Sequence, residues 1–313
     1  MPELHVGAAL WALRSTASAP RSTPGLYRSA LDDARYLEAL GFDSFWLAEH
    51  RFWYDGWCPQ PLVLAGAIAA GTSTIRIGTA MHLLGQHTPE RSRAMARTLG
   101  HHFPGRIELG VSLGYRDEEF DGLGLRLANR PRLLEAGLDA IGEEPTCPPI
   151  WIGGMADAAM ARAGRRGLSL LLPPTLNAAQ LDRCIHTARN AAAEAGTTVP
   201  HIGMLKDVWI GSPDEGAERI AAHYEEYVAA WWGLDEDGNP DAARIEKQLE
   251  RSVRAAAIGP PTKVTEELAS LVEQGVDTIV LQIHLESTLD AHRAQFALAA
   301  AEIVPTLRSL KPA

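Results

Sequence analysis

Three ionisable residues in a row, Glu49, His50 and Arg51, stand near the end of the stretch "GFDSFWLAEHRF" at positions 41 to 52. An imidazole titrates near neutral pH and a carboxylate beside it can tune it, so His50 is read as a general acid or base, with Glu49 in the same catalytic group. The competing readings are structural. His50 can order a loop through a hydrogen bond, and strand alternation turns Glu49 to the opposite face, where it can pair with a basic residue behind the wall. Phe52, Trp53, Tyr54 and Trp57 follow at once, a density of rings that suits either the lining of an apolar pocket or a small cluster pinning the loop. Trp231 and Trp232 pose the same choice. Trp11, Trp53, His82 and Tyr115 are the expected substrate contacts.

Other chemistries find less support. "IWIGGMADAAMARAG" combines a strand, a Gly153–Gly154 turn and a helix start, which aims free backbone N–H groups and a positive dipole end at any anion. A Gly pair is also the simplest way to turn a strand into a helix. No G-x-G-x-x-G or G-x-x-x-x-G-K-[ST] occurs, so neither a Rossmann dinucleotide site nor a nucleoside triphosphate site is indicated. The eleven histidines form no H-x-H or H-E-x-x-H, and no metal is expected. "GVSLG" has the spacing of a serine nucleophile elbow, but no helix follows closely enough to make Ser112 one.

Side chains of this kind need a scaffold, and the rest of the chain supplies its pattern. Short apolar runs alternate with segments of helical period, as in repeated βα units. Eight runs qualify as strands: 4–10, 43–48, 74–80, 106–112, 149–154, 168–172, 202–211 and 278–284. That number closes a parallel (β/α)₈ barrel, whose chemistry gathers beyond the C-terminal strand ends. Glu49–His50, Ala80–Met81, His82, Ser112 and Gly153–Gly154 all fall there; counting strands alone still admits an open doubly wound sheet. The helices between carry their own punctuation. Thr88 is expected to cap a helix opening on Pro89, Asn177 one ending at Gly196, and Thr262 one ending at Gly275. Segments 113–148 and 225–261 break the rhythm and are read as excursions over the rim of a single domain spanning 1–313.

Composition narrows the partners. The chain has 313 residues, 46% of them hydrophobic, enough for a large core. With 29 basic and 39 acidic residues its net charge is −10, which opposes binding to nucleic acid or anionic membranes. Three scattered cysteines suggest neither a disulfide framework nor a zinc knuckle, and no apolar run is long enough to span a bilayer. A cytoplasmic protein is expected.

"GFDSFWLAEH", "IRIGTAMHLL", "GRIELGVSLGYRDEEFDGLG", "PPIWIGG" and "IGPPTKVTEELASLVEQGVDTIVLQ" occur in the order seen in luciferase-like flavin-dependent monooxygenases. The resemblance covers most of the chain and implies a TIM barrel. It also implies reduced FMN, supplied by a separate reductase, and O₂ to oxygenate a small apolar or aromatic substrate. On the same scaffold, F420-dependent hydride transfer and a non-catalytic flavin- or ligand-binding barrel are the alternatives. His50 matches the family's active-site histidine, and Arg51 stands where a second histidine is common. Ala80–Met81 matches the place of a cis non-prolyl peptide under the flavin, and Ser112 the place of a cysteine beside it. The resemblance thus assigns Ala80, Met81, Ser112, Gly153, Gly154 and Met155 to the cofactor. Leu113 and Met155 depart from it, since an arginine and a serine are usual there for the flavin phosphate. The family also implies a homodimer through the early helices.

Overall fold

The structure is a computed structural model that describes every residue except 1, 2, 11, 12, 14, 16–21, 53–56, 232, 233, 236, 237, 284–288 and 313, and the side chains of 10, 226, 227 and 229–231. Its strands are β1 (His5–Leu10), β2 (Ser44–Leu47), β3 (Arg76–Thr79), β4 (His82–Leu83), β5 (Ile107–Ser112), β6 (Ile150–Gly153), β7 (Ser169–Leu172), β8 (Ile202–Ile210), β9 (Ala257–Gly259) and β10 (Thr278–Gln282). The order β10-β1-β2-β3-β5-β6-β7-β8 closes on itself because β8 also pairs with β10, Thr278 lying opposite Gly203. All these pairs are parallel, and the chain is a (β/α)₈ barrel. Each expected run contains one barrel strand. The sequence reading missed only β4, which continues β3 beside β5, and β9, which extends β8 outside the ring.

Strands with both faces covered read as unbroken apolar runs, and β2, β7, β8 and β10 are buried at every position. Inside the ring, Ala9, Trp46, Ala80, Trp151, Leu171, Leu205 and Val280 form a packed column. Trp46 and Trp151 meet edge to face at 5.6 Å. Such bulk must be matched by small residues across the ring. A Cβ on Gly78 would come within 2.2 Å of the Trp46 indole, so no larger residue fits there without expelling it. A second, larger core lies between strands and helices.

Local signals work at most helix ends. Asn177 accepts from the Gln180 N–H at 2.9 Å, Gln180 accepts in return from the Asn177 N–H at 3.1 Å, and Gly196 takes the left-handed conformation. Thr88 holds the cap position before Pro89 without a side-chain cap bond. Thr262 is not a cap: the helix starts one residue earlier, at Pro261, whose fixed φ suits the first helical position.

The excursions have different bounds from those the sequence suggested. Helix Arg130–Gly142 packs on helix Pro89–His102 as part of the barrel's outer layer, so only the segment before it, with the short helix Asp117–Gly122, crosses the rim. The other excursion begins earlier than residue 225. Helix Pro213–Trp231 leaves directly after β8 and pairs with helix Ala242–Ala255, while Pro261–Glu273 returns to the barrel. The apolar period inside these helices matches that of barrel helices, which is why composition misplaced both limits.

Candidate active site

A cavity of about 480 Å³ opens at the C-terminal end of the barrel, a size typical of small-molecule sites. Its wall includes Ala48, Glu49 and His50 after β2, Ala80 and Met81 after β3, Ser112 at the end of β5, Tyr115 and Met155. The Ala80–Met81 peptide is cis. The Met81 side chain turns into the barrel between β5 and β6, where a Cβ on Gly153 would lie 2.6 Å from it. Gly153 therefore makes room for Met81, and neither Gly153 nor Gly154 is among the cavity's lining residues.

His50 is buried, with Tyr115 at 5.8 Å and Trp57 at 4.6 Å, both edge to face. Its Nδ1 lies 2.8 Å from Oε1 of Glu119, on the short rim helix, and donates to it in the tautomer that pairs them. Glu119 is fully buried and also accepts from the Arg51 N–H at 3.1 Å and from Gln86 Nε2 at 2.6 Å. Burial pushes its carboxyl up, but His50, Gln86 and the Arg51 amide outweigh that and hold it below the usual range. Arg116 closes the group, donating to the Arg51 carbonyl at 3.0 Å.

Glu49 anchors a second group behind the first. It accepts from the Leu83 N–H at 3.0 Å, pairs with Nδ1 of His82 at 2.6 Å and forms an ion pair with Arg51. Nε2 of His87 lies 2.8 Å from Glu49 and 2.9 Å from Arg51 Nη2; protonated it donates to the carboxylate, deprotonated it accepts from the guanidinium. Burial raises the Glu49 carboxyl and these cationic and N–H neighbours more than reverse it, so its pKa lies well below the ordinary value. Burial pushes the His87 imidazole down, with Glu49 in partial opposition. Arg51 links the two groups, since its Nη1 donates to Gln86 Oε1 at 2.5 Å.

The sequence readings fare unevenly in this geometry. His50, Glu49, Ala80, Met81, Ser112, Met155 and Tyr115 come together at one cavity. His82 does not: it is fully buried beneath the wall, bound to Glu49, and is not among the lining residues. Trp57 belongs to a packed cluster with Trp209, Ile220 and Tyr224, and Phe52 covers Gly122 from outside. Trp11, Trp53, Tyr54 and Trp232 lie outside the described residues, as does the Trp231 side chain. Glu49, His82 and His87 gather three ligating atoms within 4.8 Å, a grouping that no motif announced. Arg51 is bonded to the same carboxylate, so a cation entering there would meet a fixed guanidinium. Sequence reasoning also missed Glu119, Gln86, His87 and Tyr224. Tyr224 lines the cavity and donates to Asp207 at 2.9 Å; burial and that carboxylate push its phenol well up.

Comparison with known proteins decides the family. A model of the luciferase-like monooxygenase family matches residues 9–143 and 136–278. The chain belongs to that family. The uncharacterised protein y4vJ of Sinorhizobium fredii is 32% identical over 179 residues, covering 49% of this chain and only about half (51%) of y4vJ. The FMN complex of the oxygenating constituent of 3,6-diketocamphane monooxygenase from Pseudomonas putida has a TM-score of 0.78, with 20% identity over 99% of both chains. An F420-dependent secondary alcohol dehydrogenase in complex with an F420–acetone adduct has a TM-score of 0.74, with 17% identity over 97% of this chain and 99% of that one. At these identities the two structures speak for a shared fold. As a luciferase-like monooxygenase the chain is an oxidoreductase, and both flavin and deazaflavin cofactors occur among its structural neighbours.

Proposed function

We propose that this luciferase-like protein is a monooxygenase that takes reduced FMN from a separate reductase and, with O₂, oxygenates a small organic substrate in the cavity beside His50. The observation that carries the reading is the His50–Glu119 pair at the wall of a cavity whose floor is the Ala80–Met81 turn. The residues fit a flavin. Ala48, Ala80, Met81, Leu83 and Leu205 offer an apolar bed for a planar ring system, with the Ser112 hydroxyl as a polar contact. Helix Asp157–Arg166 starts at Ala156 without a side-chain cap, leaving first-turn N–H groups for a phosphate. Leu113 and Met155 add neither charge nor hydroxyl there, which is consistent with modest affinity and a cofactor that exchanges.

Bound there, reduced flavin supplies the electrons that activate O₂. The protein's part is to hold and shield. Glu119, fixed by Arg51, Gln86 and Arg116, takes the Nδ1 proton of His50 as a hydrogen bond and so leaves Nε2 to carry or release a proton. Arg51 and Glu49 keep that pair rigid. Tyr115 and Trp57, packed edge to face on the His50 imidazole, limit water at the reacting centre.

A homodimer formed through the early helices and a cytoplasmic location belong to the same proposal. Val63, 69% exposed, lies beside Leu62, Met95 and Leu99 in an apolar groove between helices Pro61–Ala70 and Pro89–His102. Anaerobic titration with reduced FMN and with reduced F420 tests the cofactor. Micromolar binding of FMN and substrate-dependent O₂ uptake are expected. Binding of F420 alone would replace the reading with hydride transfer, and binding of neither would leave a barrel without this chemistry.

A further inference from the structure

One side of the apolar cavity carries a cation that the proposed flavin chemistry does not use. Helix Ala242–Ala255, in the excursion after β8, contributes Gln248, Arg251 and Ser252 to the lining. Arg251 is half-buried, and among the described residues it makes no hydrogen bond or ion pair. An arginine lining an apolar cavity with no carboxylate bonded to it is suited to receive a planar or tetrahedral oxyanion through paired N–H donors.

The surroundings favour the same charge. Arg251 and Thr175 also line a neighbouring recess of about 350 Å³, so the two spaces meet at these residues. The second recess adds Lys206, Arg254 and the start of helix Ala178–Ala195 against one acidic residue, Glu267. Lys206 is 9% exposed and donates to the Ala255 carbonyl at 2.5 Å, which ties β8 to the end of the helix bearing Arg251. Three cations facing one anion, in a chain of net charge −10, form a local reversal of the protein's field.

We infer that the substrate is an organic acid: an apolar or aromatic body lies in the 480 Å³ cavity, and its carboxylate, sulfonate or phosphate is received by Arg251 where the two recesses meet. The inference rests on the reading of this cavity as the substrate site. A flavin phosphate is the other possible source of an anion. Arg251, however, stands on the rim excursion, while the residues assigned to the flavin stand at the ends of β3 and β5 and on the loop after β6.

Two dyes that differ by one sulfonate test it. Fluorescence titration of the full chain with 8-anilinonaphthalene-1-sulfonate and with the neutral N-phenyl-1-naphthylamine compares ligands of the same aromatic body. Arg251→Gln is expected to weaken the sulfonate dye about tenfold or more, leave the neutral dye within about twofold, and be partly rescued by Arg251→Lys. Equal weakening of both dyes, or no change in either, overturns the inference. A parallel titration with FMN and riboflavin separates the sources. If Arg251→Gln weakens FMN alone and spares the sulfonate dye, the anion is the flavin's own and the organic-acid assignment falls. None of these readouts needs turnover, so failure of the monooxygenase reading would show separately, in the anaerobic titration above.

Discussion

The two ends of the barrel hold polar networks of similar composition put to different uses. At the N-terminal end Glu108 accepts from Arg76 and from the Trp151 indole, each at 2.7 Å, while His5 meets Arg76 and His201 meets Asp277 at 3.3 Å. None of these residues lines the 480 Å³ cavity. At the C-terminal end Glu49, Arg51, Gln86 and Glu119 form a comparable set, but it terminates in His50 at the cavity wall. Burying charge costs free energy at either end. The lesson is that ionic pairing in a barrel is not by itself a sign of chemistry; an open face at the end of the network is.

That contrast can be broken or sharpened by substitution, in decreasing order of effect. Glu49→Gln leaves Arg51 buried without its carboxylate and is expected to cost about 3–5 kcal/mol of stability, measured by urea unfolding. His50→Ala is expected to keep the fold and lower turnover by roughly 10² or more, read from product formation beside an unchanged circular dichroism spectrum. Unchanged turnover would make the C-terminal network structural, like the other. Glu108→Gln should cost about 1.5–3 kcal/mol of stability at the N-terminal end with kcat unaltered. A fall in kcat there would dissolve the distinction.

The smallest effect concerns pH. Hydrogen bonding to Asp277, against some loss by burial, raises the His201 imidazole above its ordinary value, with Glu108 adding and Arg76 opposing. A raised folded pKa contributes stability that is complete below the unfolded value near 6.5 and is lost as pH rises through the folded one. The histidine is partly exposed, so the gain is below about 1 kcal/mol. Wild type should therefore lose a little more Tm than His201→Asn on going from pH 6 to pH 8. Equal losses would remove the pair from the stability balance.

Much of this was legible in the chain and some was not. The eight apolar runs and the Asn177–Gln180 box are local: each depends on burial of a few neighbours or on one hydrogen bond three residues away, so order along the chain encodes them. His50 and Ser112 could be assigned to the mouth because a parallel strand delivers its last residue there whatever its neighbours do. The rim was harder to read. Glu119 is one of several charges in "RDEEFD", and nothing nearby in sequence reveals that His50, 69 positions earlier, binds it. Arg251 sits on a helix whose other face packs on a neighbour, and its cavity exists only once that helix is docked.

Sequence alone placed eight parallel-sheet strands to within about two residues at each end and showed which types of side chain reach their C-terminal ends. Tertiary structure decided which of them meet. Fold class follows from periodicity, a property of neighbours in the chain. The pairing of Glu119 with His50, the turning of His82 away from the cavity, and the place of Arg251 at its edge depend on distances that close only when remote segments pack.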